Sequence, residues 1–198
     1  MKKLYVLLFI FVLFASEMKA QKAEVGITFS ALSDNSIARF GDNYISDSGT
    51  DAGKSYTFGI TYLKPLNKWL NVETGIEFLQ SKASIHSIVS TPSGVTTVFR
   101  YGTLSLLNVP LGVRANFWKY CFVNGGVFLD IDVSSNSPVQ TQTGLGSLLG
   151  FGLKYDFKTG ISLFVNPYMK IHSFPLSFQT DQEHLLESAV RFGVSYKL

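Results

Sequence analysis

Leu107-Asn108-Val109-Pro110-Leu111-Gly112-Val113-Arg114-Ala115-Asn116 alternates without a break. Leu, Val, Leu, Val and Ala point one way; Asn, Pro, Gly, Arg and Asn point the other. A period of two is the signature of a β-strand with one apolar face. The pattern recurs through the rest of the chain. It runs over Lys22–Ala31, Ser55–Tyr62 and Leu70–Phe78 before this stretch, and over Val123–Val133, Gly144–Tyr155, Ile161–His172 and Val190–Leu198 after it. No helical stripe of comparable length competes. Eight such strands are expected, an even number as bacterial single-chain barrels require. Their lengths suit a tilted strand crossing a bilayer, for which about 9–11 residues suffice.

The connections alternate too. Pro65–Lys68, Phe117–Lys119 and Asp156–Gly160 read as tight turns. Ser33–Ala52, Ser90–Gly94, Ser134–Thr143 and Phe174–Glu187 read as the opposite set, mostly longer and polar, with strands 3 and 4 running past the membrane around the shortest. Short turns at one end and longer loops at the other is the order of outer-membrane barrels, which places both termini on the periplasmic side.

Alternation alone fits a soluble lipocalin-like barrel as well, with the apolar face turned inward. Three features favour the membrane. The polar face is mostly Gly, Ser, Thr and Asn, which suits a crowded interior better than a water-exposed sheet. Trp69, Trp118, Tyr120, Tyr155, Phe157 and Tyr196 fall at the short-turn ends, where an aromatic girdle sits. The last strand carries an apolar, aromatic outer row. Lipid cannot satisfy an open sheet edge, so strand 1 must pair with strand 8. The expected fold is all-β, a closed eight-stranded antiparallel up-and-down transmembrane barrel. An eight-stranded lumen is filled by side chains, which excludes a wide porin channel.

The N-terminus has secretory order: Lys2 and Lys3, an eleven-residue apolar run from Leu4 to Phe14, then Ala15 to Ala20. The run is too short for a spanning helix, which needs about 20 residues. The expected division is a signal peptide over 1–20, cleaved after Ala20, and a barrel domain over 21–198. Cleavage removes Lys2, Lys3, Lys19 and Glu17, leaving 14 basic and 13 acidic residues. That balance excludes nucleic acid as a partner. One Cys rules out an internal disulfide, and no Cys/His cluster points to zinc.

Two segments carry a family resemblance. Leu106-Leu107-Asn108-Val109-Pro110-Leu111-Gly112-Val113 and Phe122-Val123-Asn124-Gly125-Gly126-Val127-Phe128-Leu129 resemble paired strands of the Bacteroidetes-type outer-membrane β-barrel family that includes PorT-like proteins. The order of segments over nearly all of the mature chain is similar as well. Gly126 or Val127 stands where the family usually has Pro, and Leu198 where it commonly ends in Phe. The resemblance implies an eight-stranded outer-membrane barrel; many members have no known activity, and PorT itself is associated with type IX secretion and gliding.

On the inward row lie Glu73, Glu77, Asp130 and Asp132, facing Arg114, Lys154, Lys170 and Arg191. Charges in a narrow lumen must be paired, so these eight read as a structural plug rather than an ion path or a catalytic pair. Asp130 and Lys170 are expected to pair directly across strand 6, through the space left by Gly144 and Gly146, with Arg191 sharing the network. His86, His172 and His184 read as solvated rim residues. Ser87 and Ser173 neighbour histidines, but no G-x-S-x-G elbow exists. Cys121 is lone and outward-facing. The expected protein is non-enzymatic, binds no cofactor, has outer-membrane lipid as its partner and meets other envelope proteins through its outer loops. The competing readings are an outer-membrane lipid-modifying enzyme and a soluble periplasmic binder of apolar ligands.

Overall fold

The computed structural model describes residues 22–39, 50–91, 94–135, 141–173 and 183–198. The expected signal peptide and the centres of the longer loops lie outside them. Eight strands follow one another: β1 (Glu24–Arg39), β2 (Thr50–Pro65), β3 (Leu70–Thr91), β4 (Gly94–Phe117), β5 (Cys121–Asp132), β6 (Gly144–Asp156), β7 (Ile161–Ile171) and β8 (Glu183–Lys197). Each pairs antiparallel with its sequence neighbour, and β1 also pairs with β8, so the barrel is closed.

The apolar rows face outward. Ile27, Phe58, Ile76, Leu111, Leu129, Phe151, Leu163 and Val194, one per strand, are all exposed. The alternate row faces inward, where Thr57, Glu77, Asn108, Asp130, Asn166 and Arg191 are buried. A sheet with its polar row inside and its apolar row outside is built for hydrocarbon, not water. This overturns the soluble binder as a fold, because a lipocalin-like barrel needs the opposite polarity.

The tight turns have local causes. Asn67 Oδ1 accepts the backbone N–H groups of Trp69 and Leu70 at 3.0 and 2.8 Å, closing the β2–β3 turn. Gly160, at φ 87°, supplies the left-handed residue of the β6–β7 turn.

At the other end the strands reach further than the apolar pattern predicts. β1 continues to Arg39 and β8 starts at Glu183, inside the segments expected as loops. β1 carries a bulge between Ala31 and Asp34, with Leu32 at φ 55°. One extra residue flips the inward parity, so Asn35 is buried where the even-numbered residues had been. Beyond the bulge β1 and β8 pair from Asp34↔Ser188 to Arg39↔Glu183. Much of this stretch is polar, so no hydrophobic period marks it.

The lumen is packed rather than empty. Ideal Cβ atoms on Gly146, Gly152 and Gly193 would collide with the rings of Phe128, Phe122 and Phe164 respectively. Each inward glycine thus makes room for an inward ring on a neighbouring strand. Leu79, Leu104, Leu106 and Leu185 form a buried cluster toward the long-loop end.

Candidate functional site

The candidate site is the stack of charges inside the barrel. It runs from the short-turn end toward the long loops.

At the mouth, Lys154 Nζ lies 2.8 Å from Glu24 Oε1 and 3.3 Å from Asp156 Oδ1. Ser195 Oγ donates to Glu24 Oε2 at 2.9 Å, and Lys197 Nζ reaches Asp156 Oδ2 at 2.9 Å.

One layer in, Arg114 and Glu73 form a two-point pair. Nε donates to Oε2 at 3.0 Å and Nη2 to Oε1 at 2.7 Å. The guanidinium lies between the Phe122 and Phe164 rings, 4.4 and 4.8 Å from their centroids. Such a fork-on-fork pair gives strength and fixed geometry. Asn124 Nδ2 adds a bond to Glu73 Oε2 at 3.3 Å, and Asn166 Nδ2 holds Asn124 Oδ1 at 3.1 Å.

Deeper still, Glu77 accepts from Lys170 Nζ at 2.6 Å and lies 2.9 Å from Arg191 Nη2 in an ion pair. Arg191 Nη1 also approaches Glu73 Oε1 at 3.7 Å, linking the two layers. Glu187 accepts from Tyr168 Oη at 2.5 Å and from Thr57 Oγ1 at 3.3 Å. Lys170 Nζ stands 3.8 Å from Glu187.

His172 closes the network. Its Nδ1 is 2.9 Å from Asp130 Oδ2 and its Nε2 is 3.3 Å from Glu187 Oε2. With both carboxyls ionised, only the doubly protonated ring donates to each of them. Glu73, Glu77, Asp130 and Glu187 then face an equal number of cationic groups, Arg114, Lys170, Arg191 and His172. All eight are buried. The four-leucine cluster takes the next inward positions of β3, β4 and β8 toward the long loops.

Several expectations need correction. Asp130 and Lys170 do not pair directly. Lys170 crosses to Glu77, while Asp130 is held by His172 and by Asn108 Nδ2. Asn108 stands between them, with its Oδ1 3.5 Å from Lys170 Nζ. The space at Gly146 holds the Phe128 ring, so it is not a channel for the lysine. Arg191 does share the carboxylate of Lys170's partner.

Asp132 and Lys154 lie outside this buried network. Asp132 caps the β5–β6 loop, accepting from Ser134 N at 2.9 Å and Gln142 N at 3.1 Å. Lys154 belongs to the mouth, with Glu24. Their expected places are taken by Glu187 and His172. Glu187 falls in the segment expected as a loop because Ser188 interrupts the apolar outer row of β8, although Leu185, Glu187, Ala189 and Arg191 keep one inward parity. His172 and His184 are buried, not solvated rim residues; the side chain of His86 lies outside the described residues. His172 was legible in the inward parity of β7, where it follows Tyr168 and Lys170.

The sequence matches the family model described as "Outer membrane protein beta-barrel domain" over residues 5–197. The chain belongs to that family. Its place is therefore the bacterial outer membrane. No curated protein matches the sequence. Among solved structures, this outer-membrane barrel is similar to Ail of Yersinia pestis, in its complex with the heparin analogue sucrose octasulfate, at 12% identity and a TM-score of 0.50. That match covers 89% of this chain and all of Ail's. AlkL, solved by solid-state NMR in lipid bilayers, is similar at 14% identity and a TM-score of 0.54, covering 91% of this chain and 93% of AlkL. At these identities the likeness concerns the fold.

Proposed function

We propose that this outer-membrane barrel is a non-enzymatic structural or interaction protein whose lumen is sealed. The observation that carries the reading is the buried, charge-matched network of Glu73, Glu77, Asp130, Glu187, Arg114, Lys170, Arg191 and His172 under a leucine cap. An ion entering would have to break pairs that leave charges stranded in low dielectric. With the lumen sealed, contact with the outside falls to the long-loop end, where partners would be other envelope components. Ail, captured with a polyanionic sugar analogue, supports an interaction role for barrels of this architecture.

The enzyme reading has one specific attraction. Asp130 and His172 form a close pair, and Ser173 follows at φ 56° with a buried, unpartnered hydroxyl. Against it, His172 Nε2 faces Glu187, so neither ring nitrogen is left to act as base toward a serine. The PorT-like resemblance adds the expectation of an envelope role, without specifying one.

In this reading residues 1–20 are a cleaved signal and both termini face the periplasm. A C-terminal epitope tag tests that orientation. It should be protected from external protease in intact cells and cleaved once the outer membrane is permeabilised. Cleavage in intact cells would reverse the topology. Co-purification from native outer membranes tests the interaction role: a reproducible stoichiometric envelope partner supports it, and isolation of the barrel alone under crosslinking counts against it.

A further inference from the structure

The short-turn mouth carries a charge surplus that the sealed network does not absorb. A cavity of about 410 Å³ opens there, bordered by Lys22, Lys68, Lys119, Lys154 and Lys197. Only two carboxylates, Glu24 and Asp156, share it. Both are already engaged: Lys154 holds Glu24 and Asp156, and Lys197 holds Asp156. Serine hydroxyls take further lone pairs, Ser195 on Glu24 and Ser162 on Asp156. Lys22, Lys68 and Lys119 are exposed and have no carboxylate partner among the described residues. They come from three places in the chain, the start of β1 and the β2–β3 and β4–β5 turns, and converge on one concavity. Like charges gathered at the rim of a low-dielectric barrel raise the local potential and attract an anion.

A second feature says what kind of anion. Tyr120 and Lys154 border this cavity and also a larger apolar groove of about 770 Å³ on the lipid side. The groove is lined by Leu153, Tyr155, Leu163, Val165, Phe192 and Val194, among others. Tyr120 stacks on Tyr155, with centroids 6.0 Å apart, and Tyr155 meets Phe157 at 4.8 Å. Aromatic side chains of this kind mark the headgroup level of a bilayer. An apolar groove that runs into a lysine-rimmed pocket at headgroup depth matches an amphipathic anion.

We infer that this end of the barrel holds one anionic phospholipid of the periplasmic leaflet, with its phosphate among Lys22, Lys68 and Lys119 and its acyl chains along the β6–β8 groove. Basic pockets at membrane depth bind anionic headgroups through this chemistry. The inference rests on the membrane-barrel reading above and adds a site and a ligand class to it.

The test uses the mature barrel, folded in a neutral detergent and analysed by native mass spectrometry. Phosphatidylglycerol and phosphatidylcholine of the same chain length are titrated in separate runs. The expected result is one retained phosphatidylglycerol, favoured at least fivefold over phosphatidylcholine. The K22Q/K68Q/K119Q variant should lose that preference. These side chains are exposed, so the variant should keep its heat-shifted gel mobility; the single variants K68Q and K119Q, each weakening retention, serve if it does not. Inorganic pyrophosphate titrated alone, without lipid, separates the two sources of phosphate. No retained pyrophosphate supports a lipid; pyrophosphate retained as tightly as phosphatidylglycerol, with the same lysine dependence, means a soluble phosphate ligand and overturns the lipid site. Equal retention of both lipids, or a preference untouched by the substitutions, also overturns it. A folded wild-type barrel without lipid preference would sink only this site, whereas a barrel that conducts ions would sink the sealed-lumen reading instead.

Discussion

Glu73 and Arg114 sit diagonally on neighbouring strands, Asn71 pairing with Arg114 and Glu73 with Gly112. Arg114 is 1% exposed, so neither partner has water to fall back on. Arg114→Met should therefore cost about 3–5 kcal/mol, because Glu73 is left as a buried carboxylate without its fork. Adding Glu73→Gln should recover part of the loss, a coupling read from unfolding midpoints in detergent. Strict additivity would show that the two do not act as a pair. The partner choice of Lys170 is tested in the same way. Lys170→Met should couple more strongly with Glu77→Gln than with Asp130→Asn, since Glu77 is its direct contact at 2.6 Å. The sequence alone put charge on the inward row but could not say which charges meet. Lysine and arginine stems are long, and strand tilt sets the levels at which they arrive. Gly193 offers a prediction of another kind. A methyl there would meet the Phe164 ring, so Gly193→Ala should destabilise by about 1–3 kcal/mol through overpacking.

At the scale of the strand, β4 shows how firmly alternation fixes the faces. Val109, Leu111 and Val113 are exposed on the outside while Asn108 and Arg114 are buried within. Leu111→Arg should cost about 2–4 kcal/mol in a bilayer if Leu111 lies near the midplane. Thr159→Arg in the β6–β7 turn should stay within about 0.5 kcal/mol, as exposed substitutions do. Equal costs at the two sites would mean the lipid face is misassigned. The strand faces were legible because lipid demands an unbroken apolar row. The outer extension of β1 and β8 was not. There the bulge at Ala31–Asp34 shifts the parity of β1, and in β8 Ser188 interrupts the apolar outer row, so no hydrophobic period marks either strand. Glu187 and its place in the network were hidden with it.

For the whole molecule, closure and the filling of the lumen are linked. The β1–β8 pairing removes every free edge, which lipid requires, and eight strands leave a lumen that side chains fill. Here the filling is layered: a lysine-rich mouth, two tiers of paired charges, then four leucines. The general outer-membrane barrel family and the membrane followed from patterns spread over the whole chain. The layering depends on three-dimensional convergence of single residues from strands and turns all around the barrel, which no local pattern records. The most direct test of the sealed lumen is current through the wild-type barrel reconstituted in a planar bilayer at neutral pH. The account predicts insertion without steady conductance steps above the bare membrane. Reproducible, long-lived single-channel steps from the wild-type protein would contradict it.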